Sequence, residues 1–215
     1  MKNEILKRLL SSSILLPVSF FLILKGSLYF IIFLSICLII SLLEWFNLSR
    51  TIYFKIIGTI FLFCSFLSAY AIRNLYKDDI NIGLYFFLLI FLISISSDIG
   101  GYTFGKIFKG PKLTKISPNK TYSGALGGFI FTWITIYLYS YFNIYFSFSL
   151  KIIVYSLILS GINQIGDLII SFFKRKSNIK NTGSIIPGHG GILDRIDGMI
   201  FVFPFAYITL DLIKN

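Results

Sequence analysis

The sequence has little charge and little proline. Only 13% of its 215 residues are charged, whereas soluble domains carry about 25%. With 5 prolines and 17 glycines, a low-complexity linker is excluded. Hydrophobic residues make up 56% of the chain, and the mean hydropathy is +0.83. These values exclude a soluble enzyme and predict an all-α, polytopic integral membrane protein, with residues 1–215 forming a single membrane-embedded domain.

Acidic residues and cysteines are also scarce. The chain has 9 Asp and Glu against 20 Lys and Arg, which gives a net charge of +11. In a soluble protein this balance would suggest nucleic acid, but the cytoplasmic loops of membrane proteins are enriched in Lys and Arg. We therefore expect no nucleic-acid partner. The two cysteines form neither a disulfide framework nor a metal-site spacing.

About seven apolar runs approach the length of a membrane-spanning helix, which needs about 20 mostly apolar residues. In chain order they cover about residues 9–24, 28–43, 56–72, 80–97, 125–142, 152–173 and 199–213. With the N-terminus inside the cell, the cations that fall outside are only Lys25, Arg73, Lys77, Lys151 and Lys214. The enrichment of the other cations on the inside predicts an N-in, C-out orientation.

Two long loops lie on the predicted cytoplasmic side, at about residues 98–122 and 174–198. Both are rich in glycine, lysine and hydroxyl residues, whereas the other connections are short. We expect the function to lie in these loops, within a catalytic half that covers about residues 94–204.

The sixth predicted helix carries a polar stripe in an otherwise apolar sequence. The stripe consists of Ser160, Gln164, Asp167, Ser171 and Lys174, whose spacing places them on one helical face. A carboxylate inside a membrane costs at least about 2.5–3.5 kcal/mol, so it usually has a partner or a function. Asp167 is therefore a candidate functional residue, while Ser160 and Gln164 also suit a hydrogen-bonded seam between helices.

The first long loop begins at Asp98, where the fourth predicted helix ends, and continues with Gly100, Gly101 and Gly105. Asp98 suits a loop cap, a lysine partner or a substrate site, and the glycines allow a backbone or a phosphate to approach closely. Lysines recur along this loop, which favours contact with anionic lipid head groups. Lys120 differs because it precedes a helix start, where free N–H groups favour phosphate.

The second long loop contains the only histidine and two acids three residues apart, Asp194 and Asp197. Acids with this spacing lie on one side of a helical turn. A carboxylate pair suits Mg²⁺, which takes one or two acids together with phosphates and water, and Lys and Arg suit the phosphates themselves. The residues alone predict metal-assisted phosphoryl or nucleotidyl transfer at the cytoplasmic face of the membrane.

The second loop also resembles the signature of the phosphatidate cytidylyltransferases, or CDP-diacylglycerol synthases. That signature pairs Ser-x-x-Lys-Arg with a later Lys-Asp and then His-Gly-Gly-x-x-Asp-Arg-x-Asp. The matching positions are Ser171, Lys174, Arg175, Lys180, His189, Gly190, Gly191, Asp194, Arg195 and Asp197. Asn181 stands where the family usually has Asp, so a charge is lost but an acceptor oxygen is kept. The segments 98–102 and 117–121 resemble another cytoplasmic segment of the family, so the resemblance covers about residues 98–204.

The resemblance implies transfer of CMP from CTP to phosphatidic acid, giving CDP-diacylglycerol and pyrophosphate for phospholipid biosynthesis. It implies Mg²⁺, often with a second cation such as K⁺, and by position Asp167 and Asp194 match the acids regarded as metal ligands. It also implies a multi-pass protein among membrane lipids, in the inner (cytoplasmic) membrane with its active site facing the cytoplasm. The sequence leaves open whether the chain forms a homodimer.

The predicted site residues fall into two groups. The predicted catalytic residues are Asp167, Lys174, Arg175, His189, Asp194, Arg195 and Asp197. The predicted substrate-binding residues are Asp98, Ser117, Lys120, Thr121, Ser171, Lys180, Gly188, Gly190 and Gly191.

Two other classes of protein fit less well. CDP-alcohol phosphotransferases resemble Asp-x2-Asp-Gly-x2-Ala-Arg followed by further spaced acids, and this chain has apolar residues after Gly198. A small transporter of an organic anion would use Asp167 as a coupling site, and would show internal repeats and broken helices near the bilayer midplane. The sequence shows no repeat, and its polar groups gather at one face.

Overall fold

Most of the residues that the structure describes are helical. The structure is a computed structural model, and it describes residues 13, 17–75, 80–114, 117, 119–142, 148–185 and 190–210. Within these ranges no strand is formed, and an isolated bridge pairs Lys112 with Thr121. The prediction of an all-α protein is confirmed.

Seven helices lie within the described ranges. They are α1 (Ser27–Leu48), α2 (Ile52–Arg73), α3 (Ile80–Phe108), α4 (Tyr122–Phe142), α5 (Leu150–Lys176), α6 (Leu193–Ile196) and α7 (Met199–Thr209). Residues 17–25 are also helical. By length and composition α1 to α5 can each cross a membrane, whereas α7 is apolar but has only 11 residues.

The membrane class of the protein follows from these five long apolar helices. The first predicted span lies partly outside the described residues, and the seventh, at 199–213, is represented by the shorter α7. A total of about seven spans and the N-in, C-out orientation therefore stay predictions.

The end of α3 differs most from its predicted boundary. The predicted helix stops at residue 97 and its loop opens at Asp98, but α3 continues to Phe108. The glycines that suggested a loop are used for helix packing instead. A Cβ atom added at Gly100 would lie 2.3 Å from the carbonyl oxygen of Gly127 in α4. Small residues let two membrane helices approach this closely, so α3 remains helical and its long loop shortens to residues 109–121.

The second long loop is also shorter than predicted. The helix α5 extends to Lys176, and the loop that follows contains the short helix α6. Three charged residues that begin the predicted loop therefore lie on the last turn of α5: Lys174, Arg175 and Lys176.

The described chain divides into two compact units. The first unit consists of Met1–Tyr70 and Phe173–Ile196, and the second of Ala71–Phe172 and Asp197–Asn215. Each is described by itself below. The single domain with a catalytic half at about residues 94–204 stays a prediction.

Aromatic side chains form the contact between α1, α2 and the end of α5 in the first unit. The Trp45 and Phe54 rings meet Phe173 edge-on, with centroids 5.0 Å and 5.2 Å away. The indole N–H of Trp45 donates to the carbonyl oxygen of Phe54 at 3.0 Å, so the buried polar atom of this ring is satisfied. Gly58 makes room for the ring, because a Cβ atom there would lie 1.9 Å from Trp45 Cε2.

Polar side chains join the helices of the second unit. The hydroxyls of Ser97 in α3 and Ser160 in α5 are 2.9 Å apart. Gln164 Nε2 in α5 donates to the carbonyl oxygen of Ala125 in α4 at 3.3 Å. The hydrogen-bonded seam considered for Ser160 and Gln164 is thus present, and it holds α5 against both α3 and α4.

The close approach of α3 and α4 leads to a stability prediction. We expect Gly100→Ala to destabilise the protein, because the new methyl group meets backbone, and overpacking costs about 1–3 kcal/mol. The matched control is Gly161→Ala in α5, where the nearest atom, Phe129 Cε1, lies 3.8 Å from an added Cβ. Alanine is favoured over glycine in a helix by about 1 kcal/mol, so the control should not lose stability. Thermal unfolding in detergent micelles measures both, and a wild-type Tm for Gly100→Ala would contradict the tight packing.

Candidate active site

A cavity of about 290 Å³, lined in part by charged and hydroxyl side chains, lies among α3, α4 and α5 in the second unit. Its lining includes six of the predicted site residues: Asp98, Ser117, Lys120, Thr121, Asp167 and Ser171. They come from the middle of α3, the loop before α4 and the second half of α5. The fold therefore collects residues that are up to about 70 positions apart in the sequence into one cavity large enough for part of a ligand.

Asp167 forms an ion pair with Lys120 at the cavity wall. The two side chains are 28% and 25% exposed, respectively, so the pair is in contact with the cavity and not sealed in the core. The hydroxyl of Ser171, one helical turn further along α5, donates to Asp167 Oδ1 at 3.3 Å. The polar stripe predicted on this helix thus faces the cavity at Asp167 and Ser171.

Asp98 is held by an amide from the neighbouring helix. Asn163 Nδ2 in α5 donates to Asp98 Oδ1 at 2.7 Å and to the carbonyl oxygen of Ser94 at 3.4 Å. The expectation that Asp98 could cap a loop is wrong, because the residue lies inside α3. Its carboxylate instead lines the same cavity as Asp167 and interacts electrostatically with Asp167 and Lys120.

Asn163 is a functional candidate that is not among the predicted site residues. It is fully buried, and its Oδ1 atom has no hydrogen-bond partner among the described residues. A buried acceptor without a partner is costly, so Asn163 is retained at an energetic cost that its bond to Asp98 partly offsets. The available signal was its place beside Gln164 in the stripe, one position off the predicted face.

Thr121 caps the start of α4. Its Oγ1 accepts a hydrogen bond from the N–H of Gly124 at 3.1 Å, as in a normal N-cap. The N–H of Tyr122 donates to the carbonyl oxygen of Pro111 at 3.2 Å. Two of the helix-start N–H groups that could meet a phosphate are therefore used within the protein, and the phosphate-binding role of Lys120 stays a prediction.

Asp194 is the centre of a hydrogen-bonded cluster in the first unit. Lys174 Nζ lies 3.0 Å from Asp194 Oδ1. The N–H groups of Thr182 and Gly191 donate to Asp194 Oδ2 at 2.8 Å and 3.0 Å. Gly190, which precedes Gly191, has φ +90°, a conformation that suits glycine. The carboxylate of Asp194 therefore binds two other predicted site residues, Lys174 and Gly191.

Glu44, in the first unit, is another candidate that is not among the predicted site residues. It ends the second apolar run of the sequence, yet α1 continues beyond it to Leu48. Its side chain is buried, and it accepts hydrogen bonds from the hydroxyl of Thr182 and from the N–H groups of Ile192 and Leu193. The signal that could have found it is an acid inside a long apolar run of a chain with only 9 acids.

The other predicted residues are distributed as follows. Arg175, Lys180 and Arg195 are exposed, while Asp197 is buried and its Oδ1 accepts a hydrogen bond from the N–H of Gly198 at 3.0 Å. Gly188 and His189 lie outside the described residues. Asp167 belongs to the second unit and Asp194 to the first, so the roles predicted for both as metal ligands stay predictions.

The cavity contains oxygen groups of the kind that Mg²⁺ binds. Among the described residues, no group of three or more His, Cys, Asp and Glu side chains is arranged to hold a metal ion. The cavity does contain two carboxylates, Asp98 and Asp167, together with hydroxyl oxygens. Mg²⁺ uses one or two carboxylates and completes its shell with substrate phosphates and water, so these residues fit it when a phosphate ligand is present.

Comparison with known proteins identifies the family. The model of the cytidylyltransferase family matches residues 52–213. A phosphatidate cytidylyltransferase of Rickettsia felis is 37% identical, over 96% of this chain and 92% of that protein. One from Rickettsia conorii is 38% identical, over 93% and 88%, and one from Staphylococcus aureus is 44% identical, over 60% and 50%. The chain therefore belongs to the cytidylyltransferase family of nucleotidyltransferase enzymes, and its predicted resemblance to phosphatidate cytidylyltransferases is confirmed.

Proposed function

We propose that this enzyme transfers CMP from CTP to phosphatidic acid at the cytoplasmic face of the inner membrane, forming CDP-diacylglycerol and pyrophosphate. The names of its relatives support the reaction. The observation that carries the proposal is the cavity of the second unit, which joins two carboxylates and a lysine beside long apolar helices. This arrangement suits a substrate with a phosphate head group and acyl chains that remain in the bilayer.

The reaction requires little proton transfer. A phosphate oxygen of phosphatidic acid attacks the α-phosphorus of CTP, and the bond from that phosphorus to the oxygen bridging to the β-phosphate breaks. The second pKa of a phosphate monoester is about 6, so the nucleophile is already largely anionic at neutral pH. The main obstacles are the repulsion between two polyanions and the charge that develops on the leaving pyrophosphate, so cationic groups are needed more than a general base.

The cationic side chains of both units suit this task. In the second unit, Lys120 reaches the cavity and pairs with Asp167. In the first unit, Lys174 is held by Asp194, and Arg175 follows it on the last turn of α5. Positively charged donors aimed at developing charge are a large source of catalysis. We assign phosphate binding to Lys120, Lys174, Arg175 and the exposed Arg195.

Magnesium would be held in the cavity by Asp167 and Asp98, with phosphate oxygens of the substrate completing its shell. When bound, the ion would supply positive charge against the phosphates. Lys120 already provides one positive charge at Asp167, so the lysine would be shared between this acid and a substrate phosphate. Asp194, which accepts three hydrogen bonds in the first unit, is proposed as a further metal-ligand candidate.

The proposed reaction can be measured with purified protein in neutral detergent. We expect release of pyrophosphate and formation of CDP-diacylglycerol only when phosphatidic acid, CTP and Mg²⁺ are all present. Replacing CTP by dCTP or ATP in parallel reactions determines the nucleotide preference. If the protein in vesicles instead moved an organic anion across the membrane without pyrophosphate release, the result would support the alternative function of an organic-anion transporter.

We expect Asp167→Asn and Asp194→Asn each to abolish turnover. Loss of groups that only support metal ligands costs about 10–100-fold, so loss of a ligand should cost more. Initial rates across a Mg²⁺ titration measure the effect, and thermal unfolding of each variant controls for misfolding. Near-normal activity of either variant across the whole titration would remove that residue from the metal site.

Lys174→Ala and Arg175→Ala should lower kcat, whereas Lys109→Ala should leave kcat nearly unchanged. The first two remove charge assigned to the transferred phosphates, and a hydrogen bond to a charged group contributes about 1.5–3 kcal/mol, which is about a 10- to 100-fold change in kcat. Lys109 is exposed in the loop after α3, so its loss should affect only attraction to anionic lipid, about 1 kcal/mol per charge.

The comparison should be made in neutral detergent micelles, where attraction to anionic lipid is absent. Lys174→Arg serves as a second control, because it keeps a cation next to Asp194. Equal losses for Lys109→Ala, Lys174→Ala and Arg175→Ala would contradict the assignment of Lys174 and Arg175 to phosphate binding.

A further inference from the structure

Glu44 is a buried acid whose partners among the described residues lie in α6 or in the loop before it. It lies in α1, and only 3% of its surface is exposed. A charged carboxylate in the protein interior is costly unless donors surround it. No lysine or arginine forms an ion pair with it among the described residues, and the contacts described there are hydrogen bonds.

Three donors bind this carboxylate, two from the loop before α6 and one from the first residue of α6. Oε2 accepts the hydroxyl of Thr182 at 2.7 Å and the N–H of Leu193 at 2.9 Å. Oε1 accepts the N–H of Ile192 at 3.0 Å. Hydrogen bonds to a charged acceptor are roughly twice as strong as neutral ones, so Glu44 joins two separated parts of the loop to α1.

Two glycines leave the space that the carboxylate occupies. A Cβ atom at Gly191 would lie 2.2 Å from Glu44 Oε2, and one at Gly183 would lie 2.6 Å from Oε1. Any larger residue at either position would collide with the carboxylate or displace it. Gly191, predicted to bind substrate, is therefore also required for the fit between α1 and the loop.

The same loop also holds Asp194, through other atoms. Thr182 donates its hydroxyl to Glu44 and its N–H to Asp194 Oδ2, and the N–H of Gly191 donates to the same oxygen at 3.0 Å. Asp194 in turn binds Lys174. A continuous series of hydrogen bonds thus runs from Glu44 through Thr182 to Asp194 and Lys174, all within the first unit.

We propose that Glu44 is a positioning residue for the transfer reaction: it fixes Thr182 and Gly191 so that Asp194 and Lys174 keep one orientation toward substrate. This rests on the proposed function, because Asp194 and Lys174 carry its chemistry. Glu44 does not itself touch substrate. Its carboxylate instead accepts hydrogen bonds from Thr182, Ile192 and Leu193.

The test uses Glu44→Gln and Thr182→Val in the full-length protein. Gln at position 44 keeps the shape of the side chain but replaces one carboxylate oxygen by an NH2 group, which faces other donors. Val at position 182 replaces the hydroxyl by a methyl group and keeps the rest of the side chain. We expect kcat to fall about 10- to 100-fold in each, as for other supporting groups of an active site, with KM for CTP changed far less. Thr182→Ser keeps the hydroxyl and should restore kcat.

The matched control is Thr59→Val in α2. Thr59 also donates its hydroxyl to an oxygen acceptor, the carbonyl of Lys55 at 2.8 Å, but it has no bond to the loop. This variant should keep wild-type kcat. The double variant of Glu44→Gln with Thr182→Val should be no slower than Glu44→Gln alone, because both changes break the same series of bonds.

Hydrogen exchange of the intact protein in detergent separates positioning from general destabilisation. Glu44→Gln should speed exchange at residues 182 and 191–193 while α2 keeps its protection. Equally faster exchange throughout α1 and α2, or a wild-type kcat with a loosened loop, would overturn the proposal. If the wild-type protein has no CTP-dependent activity, the proposed function and the positioning role fall together, and the exchange data still report whether Glu44 orders the loop.

Discussion

The cost of placing carboxylates inside an apolar helical protein determines much of this structure. Each acid of the candidate site is matched by donors from another element: Asn163 for Asp98, and Lys120 for Asp167. In the first unit, Asp194 and Glu44 each accept hydrogen bonds from residues 182–193. Because an unpaired carboxylate here would cost several kcal/mol, these acids fix the positions of the helices and loops that supply their partners.

Glycine provides the space that these polar contacts require. Close packing of α3 on α4 at Gly100 and Gly127 carries Asp98 to the cavity wall within a continuous helix. At Gly191 the missing side chain leaves room for Glu44. Glycines that the sequence presents as loop or phosphate-binding residues are therefore packing residues as well, and the polar site depends on them.

The sequence predicts the helices and much of the cavity, because apolar runs and the i, i+3, i+4 spacing are local signals. The stripe on α5 led to Asp167, and the lysine before a helix start led to Lys120. The extension of α3 beyond residue 97 was not predictable in the same way, since it depends on glycines that meet another helix. Glu44 and Asn163 were missed for a related reason: their partners lie 138 and 65 residues away in the sequence.

In the proposed reaction, the chain moves the α-phosphate of CTP onto a lipid phosphate. The most direct measurement follows CTP labelled at either the α- or the γ-phosphate, with purified protein, phosphatidic acid and Mg²⁺ in neutral detergent. The account predicts that the α-label enters the lipid fraction while the γ-label leaves as pyrophosphate. Lipid that carries the γ-label, or no labelled lipid from either nucleotide, would contradict it.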